Sequence, residues 1–253
     1  MFSSKPTIGL LFQCESKDIM YTNPVAVNRH DHNRLRFTPA DNYGFSRGLS
    51  HIGVQAFELE QLSEYYPIVF NSHSGAPLAV LGIFGGCNLW LNEQDQWCAP
   101  VIPVQLSCYP FGLKKMEDGQ YIIIMDTDAE TLQAKKGKLL YNRRGESFTP
   151  SPLLKAMTAQ LEAIEQQRLV TTTAFSALVE HQVLSPGRVD FTLDGNPHRL
   201  DGFSVLDWDK VEALGEAVKS GWQKNGLWQL LKAQTASLEN FKRLQQMQAG
   251  LLK

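Results

Sequence analysis

His30 and His32, flanking Asp31, form the tightest group of metal-type ligands in the chain. Alternate residues of a strand project to one face, so an extended His30-Asp31-His32 segment would present two imidazoles to one ion. Such a site wants a third protein ligand, and His51, His73, Asp41 and Glu64 are the candidates. The competing reading is a solvated or hydrogen-bonded surface pair.

A second group is aromatic. Trp90, Trp97, Tyr109 and Phe111, with Asn88, Asn92 and Gln105 close in sequence, have the composition of a wall for a planar or peptide ligand. Aromatic rings give large contact area at small entropic cost. The same residues would serve equally as core. Trp90, Trp97, Tyr109 and Asn88 are the ligand-binding candidates, and His30 and His32 the metal candidates.

Cys14, Cys87, Cys98 and Cys108 form no C-x-x-C pair, and a chain of 253 residues does not need disulfides to fold. They are expected as reduced, buried thiols, with nothing local to activate one as a nucleophile. There is no G-x-S-x-G, P-loop or G-x-G-x-x-G, and Gly82 to Gly86 reads as a turn. No catalytic residue is assigned, and the cofactor is left unknown.

The elements that would position these groups begin with Tyr65 to Phe111. From Gly48 through Leu113 there is no Lys or Arg, while aromatic, β-branched, Gly and Pro residues are dense, as in a buried strand-and-turn core. Short strands are expected at 23–27, 51–54, 67–70, 78–84, 87–91 and 122–125, with a short helix at 56–66. Ser151-Pro152 opens a long helix, Ser as N-cap and Pro as first helical residue. Leu154, Met157, Leu161, Ile164, Thr171, Phe175 and Leu178 continue it in steps of three and four, with Arg168 the exception, to an end near Ser185-Pro186-Gly187. Asp207 is placed to cap a following helical region that Gly221 interrupts.

The fold class is therefore α+β: mainly antiparallel sheet in the N-terminal half, helices plus a small hairpin in the C-terminal half. A β-rich sub-domain spans 1–127, a polar connector 128–150, and a helical sub-domain 151–253 with a hairpin near 189–206, together one compact unit. A formal net charge of −2 removes the usual electrostatic basis for binding nucleic acid. Neither an export leader nor an apolar run of about 20 residues is visible, so a cytoplasmic protein without membrane insertion is expected.

Tyr66-Pro67-Ile68-Val69-Phe70, Asn88-Leu89-Trp90, Tyr109-Pro110-Phe111, Gly202-Phe203-Ser204-Val205 and Gly221-Trp222 resemble, in order and spacing, the SapC family. His32-x-x-Leu35-Arg36 and Tyr43-Gly44-Phe45 add to the likeness near the N-terminus. The resemblance implies an accessory protein connected with a surface layer, distinct from the peptide-transporter permease of the same name, and attaches no catalytic residue to the motifs. The expected function is binding of a partner protein, a peptide or a small ligand; the alternative is a metal-assisted enzyme around His30 and His32.

Overall fold

The computed structural model describes residues 7–10, 20–83, 87–133, 135–193 and 195–250. Cys14, the expected turn at Gly85-Gly86 and Asp194 of the expected hairpin turn lie outside them. The architecture is α+β, with antiparallel sheets mainly in the N-terminal half and helices in the C-terminal half.

The largest sheet has six strands: β1 (Thr7–Leu10), β14 (Asn196–Leu206), β5 (Ile68–Phe70), β6 (Pro77–Val80) and β4 (His51–Gly53) in order, with β13 (Leu184–Leu193) along the other edge of β14. β1 runs parallel to β14; the other pairs are antiparallel. β5 and β6 are joined by Asn71 to Ala76, where Asn71 Oδ1 accepts from His73 N and Ser74 N, a side-chain turn that sets the register. A second sheet orders β2 (Pro24–Ala26), β8 (Tyr121–Asp126) and β7 (Phe111–Lys115). Between 128 and 150, β9 (Leu132–Gln133) and β10 (Lys138–Leu139) flank β3 (Arg36–Phe37), and β11 (Tyr141–Arg144) pairs with β12 (Ser147–Pro150).

A short α1 (Leu59–Ser63) follows a 3₁₀ turn at Ala56–Glu58. The long helix α2 (Pro152–Glu180) starts as its sequence dictates: Ser151 is extended and its hydroxyl accepts from Leu154 N. It stops at Glu180, earlier than expected, because Gln182 turns to φ 54° and Ser185-Pro186-Gly187 belong to β13. Asp207 caps α3 (Trp208–Glu212), accepting from Lys210 N. The break expected at Gly221 falls elsewhere, since Gly221 is interior to α4 (Glu216–Lys224). Gly226, at φ 82°, makes the left-handed turn into α5 (Leu227–Ser237), and α6 (Phe241–Gln248) follows.

Two buried clusters result. The larger gathers Tyr66, Ile68, Phe70, Trp90, Phe175, Leu178, Leu231 and Leu244 among others. The second holds Phe37, Phe111, Met125, Leu140, Leu154 and Leu161. At about 1.5 Å per residue α2 runs roughly 43 Å, so it supplies Leu154 and Leu161 to one cluster and Phe175 and Leu178 to the other.

The stretch Cys87 to Leu91, expected as a strand, turns at Leu89 and Trp90 and makes only a single bridge, Leu91 to Trp97, among the described residues. The reason is asparagine chemistry: Asn88 Oδ1 accepts from Trp90 N, and Asn92 Oδ1 accepts from Gln94 N and Gln96 N. His30-Asp31-His32 is likewise a turn rather than an extended segment, because Asn28 Oδ1 accepts from His30 N and Asp31 N.

Candidate functional site

The strand order leaves β7 at the edge of its sheet, and α2 passes alongside it. Between them lies a cleft of about 670 Å³, within the range of ligand sites. Phe111, Gly112, Leu113, Lys114 and Lys115 line one side, Leu161, Ile164, Glu165 and Arg168 the other; Met20, Tyr21, Gln55, Gln105 and Cys108 are among the remaining walls. Pro24, Ala26, Ile122 and Ile124 line it as well, on the sheet face that Gly112 and Lys114 share, so the cleft covers that face and extends to the edge strand β7.

Gly112 is needed here. A Cβ would stand 2.7 Å from Tyr21 Oη, which donates to Phe111 O at 2.9 Å. The polar groups of the far wall are organised by α2. Glu165 is buried and holds Arg168 in a two-bond pair, while Tyr121 Oη donates to Glu165 Oε1 at 2.6 Å. That carboxylate and hydroxyl keep Arg168 firmly protonated, raised above its ordinary value. Gln105, another of the lining residues, has its Oε1 buried without a hydrogen-bond partner among the described residues. Burial pushes the Cys108 thiol up, so it is a poor thiolate.

Of the aromatic group Phe111 lines the cleft, while the ligand-binding and metal candidates lie elsewhere. Trp90 is 1% exposed, its ring 4.5 Å from that of Tyr66 and under the Arg243 guanidinium. Asn88 is buried, donating to Ser46 O and Ser46 Oγ. Trp97 Nε1 donates to Tyr66 Oη, which donates in turn to Val101 O. These three wrap one loop onto Tyr66. Tyr109 stands apart, stacked on Phe45 at 3.9 Å and donating to Asp126 Oδ2. None of the four is among the residues that line the cleft.

His30 is exposed and His32 buried, with His32 Nδ1 accepting from Asn28 N at 3.0 Å. Among the described residues no three His, Cys, Asp or Glu side chains are grouped to hold a metal ion. Gln105, noted beside the aromatics, is the one such polar residue that reaches the cleft. The signal that sequence reasoning passed over was Arg168, the single charge in the apolar stripe of α2.

Fold and site together define an α+β protein with a cleft along an open sheet edge. A family model described as SapC matches residues 27–244, and the chain belongs to the SapC family. No curated protein and no solved structure matches it. Among the described residues no helix is long and apolar enough to cross a membrane.

Proposed function

We propose that this chain is a non-catalytic accessory protein that binds a ligand in the cleft between β7 and α2. The observation that carries the reading is a cleft of ligand size whose walls mix apolar side chains with Lys114, Lys115, Glu165 and Arg168, and which Gln105, its Oε1 buried and without a partner among the described residues, also lines. A buried polar atom left unpaired costs free energy that a bound donor would recover. The raised Cys108 thiol supports binding over nucleophilic chemistry. The described cysteines, Cys87, Cys98 and Cys108, are free thiols, which suits a reducing compartment such as the cytoplasm.

Native mass spectrometry of the protein isolated from its own cells tests this directly. The expected result is a bound species that is lost from Ile164→Trp, whose indole intrudes into the cleft. Retention of that species by the variant would reject the cleft as the site. Stoichiometric metal surviving chelator-free purification and lost on His32→Ala would favour the metal-assisted enzyme around His30 and His32 instead.

A further inference from the structure

The backbone of β7 narrows the ligand class. β7 and β8 pair antiparallel from Phe111 opposite Met125 to Lys115 opposite Tyr121. In the same register Asp126 N donates to Pro110 O and Met116 N to Gln120 O. Hydrogen-bonded and non-hydrogen-bonded pairs alternate along such a ladder. Pro110, Gly112, Lys114 and Met116 therefore spend their polar groups on β8, and Phe111, Leu113 and Lys115 turn theirs outward. Tyr21 Oη satisfies Phe111 O. The N–H and C=O groups of Leu113 and Lys115 make no hydrogen bond among the described residues, and both residues line the cleft.

We infer that the cleft receives an extended acidic peptide, which adds to β7 as a further strand; the inference rests on the cleft being the binding site. Main-chain bonds to Leu113 and Lys115 would hold it, as in strand addition generally. Side chains of such a peptide alternate in direction. Those on one face meet Leu161 and Ile164 of α2 and want to be apolar. Those on the other meet Lys114 and want to be acidic, while Lys115, on the opposite strand face, adds a cation near the Tyr121 end. Of the charged side chains lining the cleft among the described residues, Lys114, Lys115 and Arg168 are cations and Glu165 alone is an anion. Lys114 and Lys115 have no carboxylate within salt-bridge distance among the described residues. A lysine on an open edge also discourages pairing with a second copy of the chain, and the two roles make different predictions.

The test is to pan a library of random extended peptides on the full-length protein and characterise the selected sequences. Expected are peptides alternating acidic with apolar residues, whose binding weakens at least about tenfold when either of two alternate amides is N-methylated and is unchanged by methylation of the amide between them. Ile164→Trp should abolish it. Lys114→Ser with Lys115→Ser should lose the acidic preference while the protein keeps the oligomeric state of the parent. Absence of any selected sequence above the protein-free control, or binding that survives Ile164→Trp, overturns the proposal. So does a lysine double variant that self-associates yet binds the selected peptides as before. If no peptide binds but a species seen by native mass spectrometry is displaced by Ile164→Trp, the strand-addition proposal falls and the cleft reading stands. If that species also persists, both fall.

Discussion

Arg168 grips Glu165 from one turn further along α2, with Nε 2.8 Å from Oε2 and Nη2 2.7 Å from Oε1. The acid is 11% exposed and the guanidinium 41%, so the pair sits at the boundary between cleft and water. Screening limits what the ion pair itself contributes. The larger cost of breaking it comes from Glu165, left buried with the Tyr121 hydroxyl but without its cation. Arg168→Met should lower stability by about 1–2 kcal/mol in urea denaturation. Adding Glu165→Gln should recover part of that loss, because the second change removes the buried charge that Arg168 had faced. Additive losses in the double variant would show that the two side chains do not depend on each other.

Acid sensitivity follows from His51. Its ring is buried on β4 beside Ser50 Oγ, 3.1 Å from Nδ1, and burial pushes its pKa down to about 4. The unfolded chain holds its proton up to about pH 6.5, so as pH falls the unfolded state charges first. The stability that neutral His51 contributes is therefore complete above about pH 6.5 and is lost as pH drops towards 4, by at most about 3 kcal/mol. Urea denaturation at several pH values across that window should show His51→Gln with a shallower decline than the parent. Parallel curves would remove His51 as the cause. Asp126 acts lower on the pH scale. Burial opposes its ionisation, but the amides of Thr22, Asn23 and Asp128 and the Tyr109 hydroxyl outweigh burial and hold it below its ordinary value. Its share of stability is present above about pH 4 and disappears only on further acidification.

The fold was legible where local and tertiary signals agree. Ser151-Pro152 opened α2, Asp207 capped α3, and the apolar runs around Asn71 to Ala76 paired as β5 and β6. It was illegible where a side chain competes for backbone groups. Asn88 and Asn92 made turns out of a stretch whose hydrophobicity reads as strand, and Asn28 did the same to His30-Asp31-His32. The cleft was hidden for a different reason. Its polar features are an unpaired strand edge and an unpaired glutamine oxygen, and both depend on which strands become neighbours in space. Phe111–Lys115 was not among the expected strands, and no pattern in it tells that its outer side goes unpaired among the described residues. Only Arg168 left a trace, as a charge where the step pattern calls for an apolar residue.

The aromatic loop offers a sharp separation of core from site. Trp90 packs in the larger cluster between Tyr66 and Arg243, and its Nε1 has no hydrogen-bond partner among the described residues. Trp90→Phe keeps an aromatic ring and strands no acceptor, so it should cost only about 1–2 kcal/mol. Trp90→Ala opens a cavity under Arg243 and should cost about 3–5 kcal/mol. Calorimetry or urea denaturation measures both. Because Trp90 lies outside the cleft lining, each variant, assayed where it remains folded, should keep whatever binds at β7. A Trp90→Phe protein with parental stability and abolished binding would move the site from the sheet edge to the loop around Tyr66.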